Sequence, residues 1–129
     1  LLTFAHHDPT LQIFADMKEF TPRRLLFKAW NTEAKLLMRL NSIECRRGEL
    51  IKKDHIILQF TGLHDIDGDE IYEMDILLKG PDKYLIMWDH ERNGWTMVTH
   101  PARTNSQPLT KDGVGSAKRL WSFFESDQH

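Results

Sequence analysis

Residues 56–72 read Ile56-Ile57-Leu58-Gln59-Phe60-Thr61-Gly62-Leu63-His64-Asp65-Ile66-Asp67-Gly68-Asp69-Glu70-Ile71-Tyr72. Two runs rich in β-branched and aromatic residues, Ile56–Thr61 and Glu70–Tyr72, flank an acidic stretch containing Asp67-Gly68. Asp-Gly is a strong short-range hairpin signal, because a tight turn between strands needs residues that tolerate positive φ. Downstream the pattern repeats. Asp75–Lys79 meets Tyr84–Asp89 across Gly80-Pro81-Asp82-Lys83, and that run meets Trp95–Thr99 across Arg92-Asn93-Gly94. Short strands joined by turn residues predict a mainly β fold, a small, partly open antiparallel barrel (SH3-like) built from hairpins. They argue against a parallel α/β arrangement.

Working outward, Ser42-Ile43-Glu44-Cys45 and Glu49-Leu50-Ile51 flank Arg46-Arg47-Gly48 and predict another hairpin. Leu25–Trp30 and Lys35–Leu40 read as a strand pair turning at Asn31-Thr32. Helix competes there, since Leu, Ala, Lys, Glu and Met are all good helix formers. Residues 1–22, punctuated by Pro9 and Pro22, read as an arm whose stretch Leu11–Met17 fits either a short helix or a strand. The β domain spans 23–100. Residues 101–115 read as an exposed loop, and Ser116 is expected to cap a short C-terminal helix from Ala117 to about Ser126, with Leu120, Phe123 and Phe124 on one stripe.

With 129 residues and 40 % apolar side chains, the chain is expected to fold as one domain. Its 17 basic and 19 acidic residues give a net charge of −2, so any binding to nucleic acid must come from a local patch. The single cysteine, Cys45, excludes an internal disulfide, and its reading is a buried inert thiol. No run approaches the roughly 18 apolar residues that a membrane helix needs. The segment Leu1-Leu2-Thr3-Phe4 has no secretion-signal pattern. The expected setting is the cytoplasm, without membrane contact.

Three stretches carry a resemblance: Phe27-Lys28-Ala29-Trp30-Asn31; the long run from Leu58 to Ile76; and Tyr84–Asp89 with Asn93-Gly94-Trp95. In order and spacing they are similar to the YopX family of phage and prophage proteins, with its "FRAWD" start, "QFTGLKDKNGKEIYEGDIV" centre and "WD" hairpin. The structural motif falls on Gln59, Phe60, Thr61, Gly62, Asp67, Gly68, Tyr72 and Asp75. The resemblance implies a mobile-element origin and a bacterial host cytoplasm, and it implies no activity, since the family has no established catalytic residues or cofactor. The chain departs from the pattern in three places. A leading arm precedes the start, Met74 replaces the Gly of "EGD", and Trp121-Ser122-Phe123-Phe124 stands where the family's ending would be, leaving the last strand open.

Several constellations invite sharper readings. The cluster Asp65, Asp67, Asp69, Glu70, Glu73, Asp75 fails as an EF-hand, because Gly68 is fourth from Asp65 and Ile76 is twelfth; a solvated turn explains it. His6-His7-Asp8 lacks a completing ligand, so no metal site is expected. No nucleophile elbow or phosphate loop is present. Trp88, Trp95 and Tyr84, interleaved with Arg92 and Lys83, fit either core positions or a surface for stacking bases, and core is preferred. Trp121 and Phe124 in the tail add candidate contact residues. The expectation is a non-enzymatic phage or prophage accessory protein that binds a host or phage protein. The alternative is a single-stranded nucleic-acid-binding barrel, and a homo-oligomer through an exchanged arm stays open.

Overall fold

In a computed structural model the described residues are Pro9, Thr10, Gln12 and residues 20–129, so most of the expected arm, with His6-His7-Asp8, lies outside them. The strands are β1 (Phe27–Asn31), β2 (Leu36–Arg39), β3 (Glu44–Arg46), β4 (Glu49–Ile51), β5 (His55–His64), β6 (Glu70–Tyr72), β7 (Asp75–Lys79), β8 (Asp82–Asp89), β9 (Gly94–His100), β10 (Ser106–Pro108) and β11 (Lys118–Ser122). One helical turn, α1 (Lys111–Val114), and a 3-10 helix at Phe123–Gln128 complete the described elements. Every pairing is antiparallel, in a sheet ordered β2-β1-β5-β6, a sheet ordered β10-β9-β8-β7-β11, and the β3–β4 hairpin. The fold is mainly β, a half-barrel of antiparallel sheet with a short helix near the C-terminus, as the turn spacing predicts. Among the described residues no helix is long and apolar enough to cross a membrane.

The competition over 25–40 resolves to strand. Asn31 Oδ1 accepts the N–H groups of Glu33 and Ala34, both at 3.0 Å, which fixes the turn and lets β2 return along β1. β1 also pairs with β5, so its backbone groups are satisfied on both sides and tertiary pairing overrides propensity. Ile71, Leu77, Ile86, Met97, Val114 and Ala117 form a fully buried cluster, with Leu63, Tyr84 and Leu109 packed on it. Trp30, Leu58, Phe60, Tyr72, Ile76 and Leu85 are also buried.

Two expectations are corrected. The 101–115 segment is not simply an exposed loop: Ser106–Pro108 pairs with β9, Thr110 caps α1 by accepting from Gly113 N–H, and Val114 sits in the core. The tail forms a strand before its helix, because β7 offers an edge that Lys118–Ser122 fills, with a bulge between Arg119 and Trp121. The helix then starts at Ser122, not Ser116. Ser122 Oγ accepts from Phe124 N–H and Glu125 Oε1 accepts from Ser122 N–H, a capping box.

Candidate binding surfaces

The seven candidate contact residues do not form one surface. Successive strand residues face opposite sides of a sheet, and directly paired residues share a side. Tyr84, Ile86 and Trp88 therefore share a face with their β9 partners Thr99, Met97 and Trp95, while Lys83 and its partner His100 lie on the other. Tyr84 packs on the core. Trp88 and Trp95 meet edge to face, centroids 5.0 Å apart, at the end of the β8–β9 hairpin. Beside them Arg92 is committed to the turn, its Nε donating to Asp89 Oδ2 at 2.8 Å. That hydrogen bond holds the Asp89 carboxyl below its ordinary value. Phe124, half-buried, stacks on the buried Trp30 of β1 with centroids 5.7 Å apart.

The opposite face gathers a second group. Lys83 Nζ lies 5.7 Å from the Trp121 ring centroid, and Arg103 Cζ lies 5.9 Å from that of Phe123. His100 meets Phe123 edge to face at 6.1 Å, and the His129 imidazole lies flat on Trp121, centroids 4.3 Å apart and planes within 4°. Burial, then Arg103 and Lys83, hold the His100 imidazole below its usual value. Its Nδ1 is buried and has no hydrogen-bond partner among the described residues. His100, Arg103 and Phe123 were not readable as site residues from the sequence. They come from separate segments that only strand register and the tail's return bring together.

The acidic turn is structural. Asp65 Oδ1 accepts the N–H groups of Asp67 and Asp69, both at 2.9 Å, and Oδ2 accepts that of Arg119 at 2.7 Å. Burial opposes the charge on Asp65, but these three donors, helped by Lys118, bring its carboxyl below the ordinary value. Asp67 pairs with Lys118. Carboxylate oxygens of Asp65, Asp67 and Asp69 lie within 4.8 Å of one another, yet both oxygens of Asp65 already serve backbone donors. Nearby, Thr61 Oγ1 donates to the Ile71 carbonyl at 2.7 Å, the Gln59 carbonyl accepts Glu73 N–H at 2.9 Å, and Phe60 packs on Tyr72 at 5.6 Å. The β5–β6 register shifts between Phe60 and His64, where Gly62 sits at φ 89°.

The β3–β4 hairpin pairs only with itself, so both of its outer edges are open among the described residues. Arg47 and Gly48, at φ 51° and 83°, make the two-residue turn. Cys45 is exposed on β3, which corrects its reading as a buried thiol: neither sheet covers so short a projection. Ile51 is also exposed, and grooves of about 140 and 520 Å³ flank the hairpin's base at Ser42-Ile43, one lined by Leu25, Leu26, Phe27 and Leu40, the other by Ile51, Lys52 and Lys53.

Residues 16–115 match the family described as "YopX protein". The chain belongs to the YopX family. No curated protein matches the sequence. Among solved structures, the crystal structure of protein EF1440 from Enterococcus faecalis is similar, with a TM-score of 0.56 and 18 % identity over 83 % of this chain and 98 % of that one. At that identity the likeness speaks to fold alone. The YopX match stops before β11, so Arg119, Trp121 and Phe123 belong to a tail outside the matched region, although β11 completes the sheet beside β7.

Where the YopX pattern has glycine, Met74 keeps the left-handed backbone, at φ 68°. Its N–H donates to the Ile86 carbonyl at 2.6 Å and its carbonyl accepts Phe123 N–H at 2.7 Å, so pairing on both sides holds the strained conformation. An L residue there costs about 1–2 kcal/mol, while glycine returns about 0.5–1 kcal/mol of that as unfolded-chain entropy. Met74→Gly is accordingly expected to stabilise the protein by about 0.5 kcal/mol, read as a higher urea midpoint at unchanged slope. A lower midpoint would show that Met74's packing outweighs its backbone strain.

Proposed function

We propose that this YopX-family chain is a non-enzymatic accessory protein of a phage or prophage, acting in the host cytoplasm by binding a host or phage protein. The observation that carries the reading is the β3–β4 hairpin, which pairs with neither sheet and has open edges, an exposed Ile51 and, at its base, a groove lined by Leu25, Leu26, Phe27 and Leu40. Unpaired strand edges invite an added strand, whose backbone supplies affinity while side chains supply selectivity. Arg46 pairs with Glu44 and Glu49 offsets a further charge, so Arg47, Lys52 and Lys53 leave the hairpin and its base with a small positive excess, which suits an extended protein segment that carries acidic groups.

The test is affinity capture from host lysates, infected and uninfected, with nuclease present, comparing the protein with an Arg47→Glu/Lys52→Glu/Lys53→Glu variant. These positions lie outside the cores, so the variant's melting temperature is expected to stay close to that of the parent. A stoichiometric, nuclease-resistant protein partner is expected, with capture reduced at least tenfold by the charge reversal. Undiminished capture by the variant, or no partner at all, defeats the proposal.

A further inference from the structure

A second surface has no part in that reading. On the face of the five-stranded sheet that carries Lys83, two flat rings and two permanent cations converge from four segments: β8 gives Lys83, the segment after β9 gives Arg103, β11 gives Trp121 and the 3-10 helix gives Phe123. His100 lies between them, in contact with Phe123 and directly across from Lys83. The groups that perturb its imidazole are its own burial and the two cations, with no carboxylate among them. Glu125, on the same 3-10 helix, is occupied with Ser122 N–H and acts electrostatically on Lys28 and Arg119 on the inner side. Neither Lys83 nor Arg103 is held in an ion pair among the described residues.

Trp121 also shows what its ring accepts. The His129 imidazole lies parallel on it at ring-stacking distance. Cations beside an aromatic ring that accepts stacking are the parts that single strands use: phosphates meet the cations, and bases stack with little regard to sequence because every base has a π-face. An acidic peptide would use the cations but leave the indole idle.

We propose that Lys83, Arg103, Trp121, Phe123 and His100 form a binding site for single-stranded nucleic acid, with a base stacked on Trp121 in place of His129 and its phosphates held by Lys83 and Arg103. The site combines residues inside the family match, Lys83, His100 and Arg103, with tail residues beyond it, Trp121 and Phe123. It is a property of this chain's tail and stands apart from the hairpin.

The experiment is fluorescence anisotropy of a labelled mixed-sequence 12-nucleotide DNA titrated with the whole chain at two salt concentrations. Affinity is expected to fall as salt rises. Trp121→Ala is expected to weaken binding about tenfold, with Trp121→Phe recovering part of the loss. Lys83→Ala and Arg103→Ala are each expected to weaken it several-fold and to flatten the salt dependence. Trp88→Phe and the charge-reversed hairpin variant are expected to leave binding unchanged, which separates this site from the proposed protein contact. Thermal melts of each variant exclude unfolding. Absence of binding, or binding indifferent to Trp121 and Lys83, overturns the proposal. Inorganic polyphosphate competing as well as DNA of equal charge reduces the surface to a bare cationic patch, and a mononucleotide competing equally assigns it to free nucleotides; either outcome overturns the single-strand reading.

Discussion

Arg119→Ala is expected to destabilise the protein by about 3–5 kcal/mol, because it strands a carboxylate in the interior. Asp75 is 1 % exposed and Arg119 21 %. Asp75 Oδ2 accepts Arg119 Nε at 2.9 Å and Tyr72 N–H at 2.8 Å. Burial pushes the Asp75 carboxyl above its ordinary value, and Arg119, the Tyr72 N–H and Lys28 pull it partly back. A folded value above the unfolded one means that this group favours folding most at acid pH and that the benefit is lost as pH rises through the folded value. Removing Arg119 raises the folded value further, so the variant's deficit should be largest near neutrality and shrink as the solution is acidified. Urea midpoints at pH 7 and pH 4 read this directly. Asp75→Asn/Arg119→Met, which removes both charges and keeps an acceptor for Tyr72, is expected to recover all but about 1 kcal/mol. A deficit below about 1 kcal/mol for Arg119→Ala would show that water reaches Asp75 and that the pair is structurally incidental.

Asp65→Ala comes next, at about 3 kcal/mol, from three backbone donors losing their acceptor at about 1 kcal/mol each. Two of these donors shape the β5–β6 turn, and the third, Arg119 N–H, ties that turn to β11. The pH dependence runs opposite to that of Asp75. The Asp65 carboxyl is depressed in the folded state, so its contribution is present above the unfolded carboxylate range and is lost as pH falls through the folded value. Asp65→Asn should therefore lose stability at neutral pH and show a flatter acid limb than the parent. Parallel acid limbs in the two proteins would remove Asp65 from the account of acid unfolding.

The hairpins were legible because their turns carry the information locally. Gly68, Gly48 and Asn93 sit at positive φ, and each residue type says so in the sequence. The β1–β2 region was ambiguous for the converse reason: its side chains suit a helix, and only β5, more than twenty residues away, supplies the pairing that makes β1 a strand. The tail's apolar stripe points to a helix over 117–126, where a strand forms first. Ser122-Phe123-Phe124-Glu125 carries a readable capping box, but the need of β7 for a partner strand is not written in residues 117–122. The candidate surface was half visible. Lys83 and Trp121 stand out by residue type, while the separation of Lys83 from Trp88 follows from strand parity, and the approach of His100 and Arg103 to Phe123 follows from the path of the tail.

That path has a bearing on how the molecule comes into being. A ribosome delivers β7 some forty residues before β11, the strand that covers its outer edge, and until Lys118–Ser122 emerge the Asp65 carboxylate lacks its third donor and Asp75 lacks its guanidinium. During that interval the nascent domain presents a bare apolar strand edge, the kind of surface that chaperones cover and that neighbouring chains can capture. The last strand thus acts as a latch on synthesis: only a chain that has been translated through residue 122 can seal its own sheet.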